Sequence, residues 1–416
     1  MKKLILTSLI VFSFVFITQS ANSIDWNSDL DFLKVELPKK HTNFYHKGNE
    51  KQFFDGIESI RLSAGNNSDL SVSIKIQQLI ASFGDKHTSS GWGKFLDNNK
   101  VLPLHLLWLK DGIYILHTTP ENRSILEHRI VKINGKPITE VIDSLSTLFT
   151  IDNNAVIKSS VYRQLVYVQL LQYFNFATSE DIVLELENSA GKKITHTIRP
   201  AVMTRNNRVS IKPSSYPFSL MDEKAYFVDS IMRKDNAYYI LYQYCWSREY
   251  PPTGFRGNPE SLPSFIEFRK KVIETLKREN FNKIIFDIRY NGGGNSSQGT
   301  ELIKEMAAMD NVNVKGKLFV ITGRSTFSSA IINTMDFMKM TKATFVGEET
   351  SGKPNHYGEV KTFVLPFSGM TVFYSTKYFR NSDKDLKTIT PDKIIETTFN
   401  DLMTGKDPVY DWIIKQ

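Results

Sequence analysis

Four groups of residues have types and spacings that suit acyl-transfer chemistry. The run Asn291, Gly292, Gly293, Gly294 follows the apolar segment KIIFDIR (283–289), and a glycine-rich turn of this kind can aim backbone N–H groups at a bound oxygen. Ser328 sits between the apolar run KLFVITG and a stretch in which Ile331, Ile332, Met335 and Met338 recur at helical spacing. This places it at a helix N-terminus, where free N–H groups and the helix dipole favour developing negative charge. Lys353 follows a third apolar run, ATFVGEET, 25 positions after Ser328. Asp85, Lys86, His87 and Thr88 form a polar cluster directly after an apolar helical pattern.

A serine hydroxyl attacks a carbonyl only when a neighbouring base removes its proton, and lysine does this only when burial lowers its pKa from ~10.4 toward neutrality. The tetrahedral oxyanion then needs two preorganised donors, each worth ~3 kcal/mol. Taken singly, Ser328 reads as a helix cap, the glycines as a tight turn, Lys353 as a solvated loop residue and His87 as a structural histidine. Together, in one strand and loop order, they read as a catalytic site.

The elements that must position these residues alternate as strand, helix, strand, helix, strand from Lys283 to Lys353. Right-handed parallel crossovers bring the ends of such strands to one sheet edge, and so unite the glycine loop, Ser328 and Lys353. Two further strands lie in AYFVDSIMRKDNAYYILYQYCW, before a Pro/Gly-rich loop and the amphipathic helix SFIEFRKKVIETLKREN. The fold class is α/β.

Upstream the texture differs. Residues 24–95 carry apolar positions three and four apart and predict an N-terminal helical domain. Residues 96–202 alternate short apolar runs with turn residues, including the hairpin signal Asn134-Gly135, and predict a β-rich module interrupted by a helix over about 161–176. Residues 203–223 hold Pro213 and Pro217 among polar residues and read as a linker, leaving 224–416 as the core.

At 416 residues, with 41% hydrophobic and 12% aromatic content, the chain has the material for two or three packed cores. Lys2 and Lys3, the apolar run LILTSLIVFSFVFI and Ala21-Asn22-Ser23 have the three parts of a secretory signal peptide, residues 1–23. Export to a periplasmic or extracellular space follows, with no membrane span after signal removal. Cys245 is the single cysteine, so no internal disulfide forms. The net charge of +8 is scattered rather than massed, which argues against a nucleic-acid partner. HExxH, CxxC and GxxxxGK[ST] are absent from the sequence, and no cofactor or metal is indicated. The residues specify no assembly state.

The motifs DIRYNGGGNSS, TFSSA, VGEETSGK, LPFSGMTVFYSTKYF and TITPDK, in that order, resemble the catalytic domain of the carboxyl-terminal processing (tail-specific) serine proteases and their tricorn-like and retinoid-binding-protein-like relatives. The resemblance implies a Clp protease/crotonase-like core of ββα units, a PDZ-like substrate module at 96–202, and a polypeptide substrate cleaved through a Ser328 acyl-enzyme. It implies an oxyanion hole from Ser329 with Gly293 or Gly294. It favours Lys353 as base, because the processing proteases use the same 25-residue spacing, and His87 is the alternative, since Asp85-Lys86-His87-Thr88 is similar to the D-x-H-T motif of the tricorn-like branch. Glu348 is the candidate to orient the base, and His356 stands below His87 as a site residue. The sequence departs from the processing proteases after Ser328, where Ser329, Ala330, Ile331 and Ile332 follow and Lys339 occupies the place of an auxiliary acid. The alternative function is that of a catalytically inactive relative that binds peptide or apolar ligands.

Overall fold

A computed structural model describes residues 24–221, 225–252 and 254–416. The signal-peptide reading at 1–23 lies outside the described residues. Among those described, the strands form three sheets.

The central six-stranded sheet runs in the order 393–394, Thr344–Gly347, Leu318–Thr322, Lys283–Asp287, Ala237–Tyr242, Phe227–Met232. All neighbours are parallel except the pair Ala237–Tyr242 and Phe227–Met232. The three middle strands are buried on both faces, which is why they read as unbroken apolar runs. On one face Tyr238, Ile240, Tyr242, Phe286 and Val320 pack with helix residues Val272, Leu302 and Phe337. On the other, Tyr239, Leu241, Ile285, Phe319 and Ile321 meet Val409 and Ile413 of the C-terminal helix Pro408–Ile414. This is the Clp protease/crotonase-like α/β core that the motifs imply.

Crossovers through the helices Ser296–Ala307 and Ser329–Met340 return each strand in parallel, so the loops after Asp287, Thr322 and Gly347 emerge on one edge. Arg289, just beyond the Lys283–Asp287 strand, anchors that edge. Its guanidinium lies 2.9 Å from Asp287 and 2.8 Å from Asp407, and Asp407 also caps the C-terminal helix by accepting from Val409 and Tyr410 N–H.

Three helices, Trp26–Lys40, Glu50–Ala64 and Asp69–Ser82, form the expected N-terminal helical segment. Their shared core of Leu30, Leu33, Phe53, Ile57 and Ile80 extends onto Leu365, Met370, Val372 and Tyr374 of the core's long hairpin His356–Val364/Thr371–Phe379. The N-terminal helices are thereby packed on a segment near the other end of the chain.

The β-rich region builds a seven-stranded sheet. Asn134 and Gly135 take φ of 48° and 77°, and the flanking strands His128–Ile133 and Lys136–Pro137 pair across this tight turn as the Asn-Gly signal predicts. The interrupting helix is in fact three short pieces, Asn154–Ser160, Val161–Val166 and Val168–Tyr173. The expected linker is partly structured: Val209–Ser210 adds to the β-rich sheet opposite His117 and Thr118, and Phe218–Met221 is a short helix. None of the described helices is long and apolar enough to cross a membrane.

The Arg289 cluster yields a stability prediction. Replacing Arg289 with methionine strands the Asp287 and Asp407 carboxylates in the interior, and chemical denaturation should record a loss of ~3–5 kcal/mol, against which an unchanged unfolding free energy would count decisively.

Candidate active site

The loop after Lys283–Asp287 and the loop after Leu318–Thr322 are laced together by hydrogen bonds to backbone carbonyls. Asn291 carbonyl accepts from Phe327 N–H at 3.0 Å, and Ile288 carbonyl accepts from Thr326 Oγ1 at 3.0 Å. Thr326 carbonyl in turn accepts from Gly352 N–H at 3.2 Å, tying in the third loop. Asn291 is fully buried and directs the glycine loop: its Nδ2 donates to Tyr242 carbonyl and its Oδ1 accepts from Gly293 N–H at 2.9 Å.

Two glycines are required here by their surroundings. Gly293 has φ 109°, and a Cβ on it would come 2.7 Å from Ser328 Cβ; Gly294 has φ 136°, and a Cβ would come 2.4 Å from Cys245 carbonyl oxygen. Gly294 extends the sheet through an isolated parallel bridge to Cys245, and its carbonyl accepts from Ser329 Oγ at 2.6 Å. Among the described residues, neither Gly294 N–H nor Ser329 N–H has a protein acceptor; Ser329 follows Ser328 in the chain, and Gly294 follows Gly293, whose Cβ position would meet Ser328 Cβ and Ser329 N. Gly293, the other oxyanion donor expected from the sequence, differs: its N–H is already engaged by Asn291 Oδ1, and it serves as a contact residue against Ser328.

Ser328 precedes the first turn of the helix Ser329–Met340 with φ 54° and ψ −124°. This is a left-handed backbone that an L-residue adopts at ~1–3 kcal/mol, held here by the surrounding bonds. It directs the side chain out of the helix, where Oγ lies 3.0 Å from His87 Nε2.

His87 comes from the loop after the third N-terminal helix, 241 positions away. Its ring stacks on Phe327 at 4.5 Å and faces His356 at 5.7 Å. The ring also bonds the backbone of Tyr357, which leaves Nε2 to accept from Ser328 Oγ. Burial pushes the imidazole down from 6.5 to about 4, opposed by the Asp85 charge and assisted by His356 and Lys86. His87 is thus a neutral acceptor throughout the physiological range.

Asp85 supplies the buried negative charge. Its carboxylate accepts from His41 Nε2 at 3.0 Å, Thr88 Oγ1 at 2.5 Å, Ser375 Oγ at 2.6 Å and His87 N–H at 2.9 Å. Asn43 N–H donates to His41 Nδ1, so the network assigns the His41 proton to Nε2, pointing at Asp85. Burial alone would raise the Asp85 pKa; the bonds from His41, Ser375 and Thr88, with the nearby His87, more than offset it and hold the group well below the usual carboxylate range. The closest approach to the His87 ring is 4.0 Å, to Nδ1, so Asp85 acts on that ring through charge rather than through a hydrogen bond.

Lys353, the favoured base in the sequence reading, is brought to the edge of this site but turned elsewhere. Its ammonium lies 3.0 Å from Asp152, which also pairs with Lys47 at 3.3 Å, and no hydrogen bond joins it to Ser328. Its carbonyl instead accepts from His356 Nδ1 at 2.9 Å. The geometry reverses the ranking and puts His87 on the serine. Glu348, expected to orient the base, pairs with Arg324 and reaches neither candidate. Lys86 is buried over the Phe327 ring at 4.1 Å, and burial first, relieved by Asp152, leaves its amine at about 8. From the sequence, Asp85 and Asn291 are named without a role of their own, and His41, Ser375 and Tyr357 are not found. The D-x-H-T spacing is the signal for Asp85 and the glycine run for Asn291, and nothing local marks the other three.

Comparison with known proteins adds a family match over part of the chain. Residues 262–395 match the model for peptidase family S41. The resemblance to the processing proteases therefore holds over a stretch that contains the glycine loop, Ser328 and Lys353, while Asp85 and His87 lie outside it. No curated protein matches. Among solved structures, mature CPAF complexed with lactacystin shares the fold with a TM-score of 0.61 at 13% identity, over 93% of this chain and 96% of that one. Mature CPAF alone gives 0.60 at 13% identity, over 92% and 94%.

The electrostatics predict a titration. In an NMR titration His87 should protonate near pH 4, and Asp85→Asn should move the midpoint lower by removing the charge that favours the imidazolium. Because the unfolded histidine takes up its proton near 6.5 and the native one does not until about 4, His87 makes stability fall as pH drops through that window and level off below it. A midpoint at or above 6.5 would refute the buried neutral form.

Proposed function

We propose, from a core that matches peptidase family S41, that this chain is an exported serine peptidase acting on extended polypeptide segments. The observation that carries the reading is the 3.0 Å bond between Ser328 Oγ and His87 Nε2, made by a strained serine at a helix N-terminus. An inactive binding relative has no need of that strained backbone or of a buried imidazole aligned with it.

In the proposed sequence, His87 Nε2 takes the Ser328 proton as Oγ attacks the scissile carbonyl, and the imidazolium is stabilised by the Asp85 charge and the Tyr357 backbone. The oxyanion is received by the N–H groups of Gly294 and Ser329, the second with the helix dipole behind it. His87 then returns the proton to the leaving amine, and a water deacylates Ser328 by the same route in reverse. Lys353 holds the loop in place through Asp152 and moves no proton.

Substrate uptake is assigned to the β-rich region. A cavity of about 520 Å³ opens between it and the core, walled by Ile113, Ile130, Ile138 and Ile142 and rimmed by Glu348 and Glu396. An apolar cleft beside a strand and a helix suits the side chains of an extended chain, in the manner of a PDZ-like module.

Labelling by a serine-acylating probe tests the base. Ser328→Ala should abolish labelling, His87→Ala should slow it by ~10²–10⁴-fold, and Lys353→Ala should leave it largely intact. Loss of labelling in Lys353→Ala with retention in His87→Ala would return the role to the lysine. For the cleft, Ile142→Glu should raise KM for an unfolded polypeptide while sparing a small activated ester, and equal losses on both would make the region purely structural.

A further inference from the structure

The long core hairpin leaves one strand with an open edge. The three-stranded sheet runs 89–90, Thr371–Phe379, His356–Val364, so His356–Val364 has a neighbour on one side only. Thr371 carbonyl accepts from Gly91 N–H and Ser375 carbonyl from Thr42 N–H, which turns the odd residues of the middle strand away from the hairpin partner. Val372, Tyr374 and Tyr378 therefore face Phe363, Lys361 and Tyr357, and the backbone groups of Gly358, Val360, Thr362 and Val364 point outward. Among the described residues these outward groups have no backbone partner.

We infer that a second copy of this chain pairs along this edge, antiparallel, about a two-fold axis at Val360. A two-fold axis through a residue, unlike one between residues, matches outward groups with outward groups, so backbone geometry alone does not choose among Glu359, Val360 and Lys361 as its centre. The charges do. An axis at Glu359 sets two glutamates face to face, an axis at Lys361 sets two lysines face to face, and an axis at Val360 sets Glu359 of each copy opposite Lys361 of the other. Both side chains are exposed, and within one copy Glu359 has only a 4.0 Å approach from Lys377. Glu359 takes φ 55°, with its carbonyl turned to the inner strand, where Thr376 Oγ1 donates to it at 2.6 Å.

The same register places Phe363 of one copy opposite Tyr357 of the other and brings each hairpin tip toward the neighbour's site. Apolar surface continues from this edge. Val364 and Phe367 are exposed at 54% and 56%, Phe363 touches the exposed Phe32 of the first N-terminal helix at 6.0 Å, and Val35 lies one turn further along that helix at 60%. A charged edge flanked by uncovered aromatics is the pattern of a strand that rejects most partners and accepts a matched one.

Sedimentation of the mature chain over a micromolar concentration series tests the pairing. The wild type should form a dimer, Lys361→Glu and Glu359→Lys should each weaken it by at least ~10-fold by opposing like charges at both ends of the junction, and the double exchange should restore it. Circular dichroism melts of the exposed-site variants serve as the folding control. A wild type that stays monomeric, or single variants with unchanged affinity, would overturn the proposal. So would a monomer in which the single variants raise KM for a polypeptide, since the edge would then take substrate.

Discussion

The buried Asp85 carboxylate is the constraint on which the rest of the site depends. A charge this deep survives only if every lone pair is occupied, and the four donors that occupy them come from the first N-terminal helix end, the 85–88 loop itself and the core hairpin. Satisfying it docks the helical segment on the hairpin, and docking is what carries His87 to Ser328. Hydrophobic packing of Leu30, Phe53 and Ile80 against Met370 and Val372 supplies much of the adhesion, while Asp85 fixes its register.

On the other side of the reaction centre the constraint is steric. Two positive-φ glycines, the second pressed against Cys245, bring the loop backbone so close to Ser328 that no side chain fits between. The strain at Ser328 is sustained by the bonds of Asn291, Thr326 and Phe327 rather than by the helix that follows. Ser328 and the proposed oxyanion donors are therefore preset by the parallel core, and His87, the proposed base, arrives from outside it. The S41 match covers the first set of parts and stops short of the second.

Lys353 shows how a spacing argument is redirected by a neighbour. Its distance along the chain from Ser328 suits a base, but Asp152, from the corner of the β-rich region, presents a carboxylate at 3.0 Å. An ammonium held by that carboxylate points away from Ser328, and no hydrogen bond joins the two. That corner also donates Asn153 Nδ2 to Thr350 and Lys387 carbonyls, so Lys353 becomes part of a clamp between the region and the core.

The sequence by itself determined the parallel core, since buried strands must be continuous apolar runs and their crossovers have one hand. It also determined the glycine loop and Ser328 at strand ends, the Asn134-Gly135 turn and the N-terminal helices, all features with local periodicity or local backbone demands. Only the tertiary structure decided which base meets the serine, which N–H groups stay free, and that Glu348 belongs to Arg324. The first and last rest on contacts between residues 241 and 24 positions apart, and the second on a buried side chain two positions from Gly293, so side-chain geometry and competing partners set each result. Asp85 stands at the boundary: its motif was visible, but its role needed His41 and Ser375, which no spacing connects to it.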